Sequence, residues 1–129
     1  MARVRGIGGI FFKSDNPEAL YAWYEKHLGI TGRPNEGAMF AWRRPEDASK
    51  EELTVWSIFP ASTKYFDPSK AQFMMNYIVD DLDATLAELR AAGVQVDERV
   101  ERHDYGNFGW IMDPDGNRIE LWEPKRTGR

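Results

Sequence analysis

Asp113-Pro114-Asp115-Gly116-Asn117-Arg118-Ile119-Glu120-Leu121-Trp122-Glu123-Pro124 reads as a tight turn running into an apolar, aromatic strand with one carboxylate at its middle. Pro114 suits the first central position of a type I turn, and Gly116 supplies the positive φ that closes the loop. If Asp113 pairs with Asn117 across the hairpin, Trp110 lies opposite Glu120 and Phe108 opposite Trp122. Directly opposed residues share a sheet face, so Met112, Arg118, Trp110, Glu120, Phe108 and Trp122 fall together. Ile111, Ile119, Gly109 and Leu121 make the other face, a smooth surface for a covering helix. A carboxylate ringed by aromatics on the helix-free face is a candidate site.

Upstream of this hairpin the chain repeats one pattern. A strand over Val4 to Lys13 precedes Asp15-Asn16-Pro17-Glu18, a helix start with a capping side chain and Pro in the first turn. The helix carries Ala19, Leu20, Trp23 and Leu28, and Gly29 ends it. Strands around Ala38 to Arg43 and Leu53 to Phe59 follow, joined by the polar stretch 44–52, which reads as a solvated hairpin tip. In the second unit, Phe73 to Val79 is a strand and Asp80-Asp81 caps a helix through Leu82, Leu86 and Leu89. Gly93 ends that helix, a strand opens at Val94, and the 108–123 hairpin closes the unit. Thr54-Val55-Trp56 aligns with Glu120-Leu121-Trp122, and Asn16 with Asp81, at nearly the same spacing, as in a duplicated module.

These elements predict an α+β fold: two tandem β-α-β-β-β modules forming an open, eight-stranded mixed barrel with helices outside. Residues 1–129 are then a single domain, with module one at 4–59, a linker at 60–72 crossing the surface, and module two at 73–124. Strand alternation sends Ile10 and Phe12 towards the first helix and Met75, Tyr77 and Val79 towards the second. Phe11, Phe40, Trp42, Trp56, Asn76, Phe108, Trp110 and Trp122 are left for the concave, helix-free side.

Bulk properties narrow the function classes. With 129 residues the chain can bury a core without staples, and the absence of cysteine excludes disulfides, thiolate metal sites and cysteine nucleophiles. A net charge of −4 argues against a nucleic-acid or anionic-membrane partner. No apolar run reaches the length of a membrane span, and the first residues lack a signal-peptide core, so a cytoplasmic protein is expected. Five Trp, five Tyr and seven Phe are enough to fill a core and also line a ligand surface.

The paired modules, the Asp80-Asp81-Leu82-Asp83-Ala84 helix start and Asp113 to Leu121 together resemble the vicinal oxygen chelate superfamily. That group holds glyoxalase I, extradiol dioxygenases, methylmalonyl-CoA epimerase and the fosfomycin and bleomycin resistance proteins. The likeness spans roughly Arg5 to Pro124 and is greatest to small bacterial glyoxalase-like proteins. It implies a barrel cavity, a homodimer and, if the chain is an enzyme, a lyase or dioxygenase. It also implies four ligand positions, which fall here at Gly9, Thr54, Met74 and Glu120. Metal-using members carry His, Gln, Glu or Tyr at such positions, and only Glu120 keeps an expected ligand. A catalytic ion needs about three protein ligands. His27 suits a helix C-terminus and His103 a surface strand end, so neither completes the set.

No cofactor or metal is therefore expected. Glu120 keeps three readings: a structural carboxylate bonded to Trp110, Asn76 or Arg118; an anchor for a cationic or hydrogen-bonding ligand; or a general base raised by apolar surroundings. The functional expectation is a small organic molecule bound in an aromatic cavity by Phe40, Trp42, Trp56, Asn76, Phe108, Trp110 and Trp122, with Glu120 as the catalytic candidate. The alternatives are a metal-dependent lyase, isomerase or dioxygenase of the superfamily, and a non-catalytic interaction module whose trough is filled by its own side chains.

Overall fold

The structure is a computed structural model and describes residues 3–125. Its elements run β1 (Val4–Ser14), α1 (Pro17–Leu28), β2 (Ala38–Arg44), β3 (Asp47–Pro60), β4 (Phe73–Val79), α2 (Leu82–Ala91), β5 (Val96–His103), β6 (Gly106–Met112) and β7 (Arg118–Pro124). Local chemistry sets their limits. Asn16 Oδ1 accepts from the Ala19 N–H at 3.1 Å to start α1, and Gly29 ends it in the left-handed conformation at φ 71°. Asp81 caps α2 through the Ala84 N–H, and Glu123 of β7 accepts from the Leu82 N–H at 2.9 Å. The 113–117 turn closes as expected: Asp113 Oδ1 accepts from the backbone of Asp115 and Asn117, both at 2.9 Å, with Gly116 at φ 82°.

All strands join one mixed sheet in the order β2-β3-β1-β4-β7-β6-β5. β1 and β4, the first strands of the two modules, pair antiparallel at its centre, and each lies parallel to the last strand of its own module. This arrangement repeats one module about the centre. Module one, however, has β-α-β-β where β-α-β-β-β was expected, so the sheet has seven strands and not eight. Residues 30–37 replace the eighth with a turn holding a single bridge, Arg33 to Gly37. Pro34 denies the ladder an N–H, and Asn35 and Gly37 sit at φ 71° and 70°, outside strand conformation.

The polar stretch 44–52 is a largely exposed hairpin tip, built of regular strand more than of loop. Only Pro45 and Glu46 turn, and β3 begins at Asp47, with Arg43 paired opposite Glu51. Cross-strand charge pairing lets a polar sequence hold a regular hairpin.

Both helices cover one face. Beneath α1, Tyr21 packs on Trp56 and Ile58 with Ile10 and Phe12; beneath α2, Leu82 and Leu86 pack on Val79 and Leu121. The opposite face has its own core of Phe11, Phe66, Met74 and Trp110. Among the described residues no helix is long and apolar enough to cross a membrane.

Candidate functional site

The closing hairpin has the expected register: Trp110 lies opposite Glu120, and Phe108 opposite Trp122. β4 brings Asn76 beside Glu120 on the same face. Glu120 is 3% exposed, and its carboxylate accepts three hydrogen bonds. Asn76 Nδ2 donates to Oε1 at 2.5 Å, Trp110 Nε1 donates to Oε2 at 3.1 Å, and the Tyr65 hydroxyl donates to Oε2. Asn76 Oδ1 is buried and has no partner.

Tyr65 comes from the linker. Most of that segment is exposed, as its polar composition suggests, but its middle dips into the trough, and Phe66 is fully buried there. Tyr65 meets the Trp110 ring edge-on at 6.2 Å and stacks on Phe59 at 5.7 Å. Two adjacent aromatics inside an otherwise polar linker were the available signal that it packs inward.

Burial pushes the Glu120 carboxyl above its ordinary 4.5, although bonds from Tyr65, Asn76 and Trp110 and the charge of Arg118 pull the other way. Burial first, and then the neighbouring Glu120 charge, push the Tyr65 phenol up. Tyr65 is thus a committed donor.

A cavity of about 340 Å³ opens in front of this carboxylate. Phe11, Leu53, Val55, Phe108 and Trp122 make its walls, Met39 and Tyr105 its rim, and Gly8, Asn76 and Glu120 the rest. Met39 of β2 and Phe108 of β6 come from opposite halves of the sheet, so the sheet curls enough for both halves to share one space. Phe108 stacks on Trp122 at 5.8 Å and 7°. Gly8 is where β1 shifts register against β4, and a Cβ there would stand 2.3 Å from Asn76 Oδ1 and 2.9 Å from the Trp122 ring.

Of the expected binding residues, Asn76, Phe108, Trp110 and Trp122 gather around Glu120, whereas Phe40, Trp42 and Trp56 lie elsewhere. Parallel pairing puts Trp56 beside Ile10, hence under α1 with Tyr21 and Phe12. Trp42 shares that face: its Nε1 donates to Thr54 Oγ1 at 2.8 Å, and its ring occupies the space a Gly6 side chain would need. Phe40 is half exposed on the edge strand. Leu53, Val55 and Met39 are the residues module one sends to the cavity. β3 is apolar on both faces, so alternation did not mark which was which.

The four positions implied for metal ligands fare similarly. A Cβ at Gly9 would meet the Phe11 ring at 2.6 Å; Thr54 donates to the Ile7 carbonyl at 2.6 Å on the helix side; Met74 is sealed among Phe11, Phe66 and Trp110. Among the described residues no three His, Cys, Asp or Glu side chains come together. One carboxylate that already accepts three bonds, facing Leu53, Val55 and Phe11, is a donor set that does not fit a divalent ion.

Two modules sharing a curled sheet, with helices outside and a buried carboxylate from the last strand inside, define the vicinal oxygen chelate superfamily. The chain belongs to the glyoxalase-like domain family, whose model matches residues 9–122. Solved structures agree on the fold. Methylmalonyl-CoA epimerase from Mycobacterium tuberculosis is 24% identical at a TM-score of 0.61, covering 95% of this chain and 90% of that one. A Streptomyces coelicolor methylmalonyl-CoA epimerase in complex with 2-nitronate-propionyl-CoA is 17% identical at 0.66, covering 93% and 97%. The 2,2',3-trihydroxybiphenyl 1,2-dioxygenase of Sphingomonas wittichii is 19% identical at 0.60, covering 96% of this chain and 42% of that one. No curated protein is significantly similar in sequence.

Proposed function

We propose that this glyoxalase-like protein binds a small, largely apolar organic molecule in the cavity before Glu120, without a catalytic metal. One observation carries the reading: a space of about 340 Å³, walled by apolar side chains from both modules, ends on a buried carboxylate. Pockets of this size with few polar groups hold ring-sized ligands. A trough serving structure alone would be filled by its own side chains, and here the linker's Phe66 and Tyr65 fill one end and leave the other open.

Indole N–H signals of the Trp residues in a ¹⁵N-labelled sample test this. Added small aromatic compounds should shift Trp122 and Trp110 and leave Trp23, half exposed on α1, in place. Unmoved Trp122 and Trp110 signals across the panel would sink the binding reading. Metal analysis of protein purified without chelator tests the other half. Stoichiometric metal that disappears in Glu120→Ala would favour the metal-dependent lyase, isomerase or dioxygenase reading instead.

A further inference from the structure

We infer that the molecule bound there is an uncharged hydrophobic ring compound that places a single O–H or N–H on Glu120, and that acidic compounds are rejected. This rests on the cavity reading above and specifies its ligand. Glu120 Oε1 accepts only from Asn76, while Oε2 accepts from both Tyr65 and Trp110. An ionised carboxylate has about four acceptor sites, so one remains, on Oε1. Asn76 spends one Nδ2 hydrogen on the same oxygen and keeps its Oδ1 buried without a partner, so this polar end offers two unused acceptors, Glu120 Oε1 and Asn76 Oδ1. A ligand that brings a hydrogen suits it.

Charge points the same way. Among the described residues no Lys, Arg or His lines the cavity. Arg118 lies over the Trp110 ring at 5.2 Å, bonds Asp97 at 3.3 Å, and faces a separate small cavity with Pro68. An anionic ligand would enter a space with no cation and approach a buried carboxylate, losing hydration without recompense. The remaining walls, Leu53, Val55, Phe11 and the Phe108–Trp122 stack, offer apolar contact to the body of a ring.

Three probes of one shape separate these terms: 4-propylphenol, propylbenzene and 4-propylbenzoate, titrated while the Trp122 indole signal is followed. The phenol should bind about fivefold more tightly than the hydrocarbon, the worth of one net hydrogen bond, and the benzoate at least about tenfold more weakly than the phenol. In Glu120→Gln an amide N–H replaces the free acceptor and leaves the phenol only its weaker role as acceptor, so the phenol's advantage should shrink while the hydrocarbon's affinity holds. Leu53→Trp, which fills the cavity, should abolish binding of all three; Met39→Trp at the rim serves if Leu53→Trp does not fold. Equal affinity of phenol and hydrocarbon overturns the donor assignment, and tight benzoate binding overturns the charge assignment, with the cavity reading intact in both cases. Failure of every probe at millimolar concentration removes the cavity reading and this inference together.

Discussion

At the scale of single residues, Glu120 is set between burial and its three donors, and burial prevails: the folded carboxyl holds its proton more tightly than an unfolded one. The sign of the consequence follows from linkage. A group whose pKa is raised on folding stabilises the fold at low pH, and that contribution is lost as pH climbs from its ordinary 4.5 through the raised value. Glu120→Gln removes the titration and can keep the network, because Gln can accept from Tyr65 and Trp110 while donating to a turned Asn76 amide. The thermal midpoint of wild type minus that of Glu120→Gln should be greatest at and below the ordinary 4.5 and fall as the pH rises above it. Parallel midpoint curves would show that folding does not perturb this carboxyl. Glu120 was legible in the sequence because it is a lone charge in an apolar strand anchored to a recognisable turn. Trp110 followed from hairpin register and Asn76 from strand parity. Tyr65 did not follow, because a linker has no periodicity from which to place a side chain.

At the scale of elements, the linker is the part whose composition most misleads. Its Pro, Ser, Lys and Asp residues suggest a solvated connection, yet Phe66 is fully buried against Phe59, Met74 and Trp110 and works as the plug of the concave core. Truncation to Ala at a buried Phe costs about 3–5 kcal/mol, so Phe66→Ala should lose stability on that scale in urea denaturation. Tyr65→Phe keeps the ring and removes one donor from Glu120, a loss of about 1–3 kcal/mol. If Phe66→Ala proves no more costly than Tyr65→Phe, the plug is not part of the core. Module one shows the other limit of sequence reading. Its helix was legible from caps and from Gly29, whereas β3 carries Leu53, Val55 and Phe59 on one face and Trp56 and Ile58 on the other. With both faces apolar, nothing local distinguishes cavity from core. The pairing of Ile10 with Trp56 decides it, and that is a property of the assembled sheet.

At the scale of the whole molecule, the cavity exists only while the two modules keep their relative curl, because its opposing walls belong to different modules. The central β1–β4 pairing is one fastening. A second is ionic and lies where the β2–β3 hairpin meets the start of α2. Arg44, 5% exposed, donates through Nε to Glu52 at 2.6 Å and through Nη2 to Asp80 at 2.9 Å. Asp80 also accepts from Arg5 Nε at 2.6 Å. Although burial acts to raise it, the bonds from Arg44 and Arg5 hold the Asp80 carboxyl below its usual range. Arg44 belongs to module one and Asp80 to module two, so the guanidinium spans the joint. Removing one partner of a buried ion pair typically costs about 3–5 kcal/mol, whereas replacing the pair by apolar residues is often neutral or stabilising. Arg44→Ala should therefore unfold at markedly lower urea concentration than wild type, with Glu52 left buried beside the lost charge. Arg44→Met combined with Glu52→Leu should recover most of that loss in global stability. It should not restore the link to Asp80, so indole signals from the cavity's Trp122 should broaden or shift in the double variant even though the fold is stable. A double variant with a wild-type Trp122 signal would mean that β1–β4 pairing alone sets the curl.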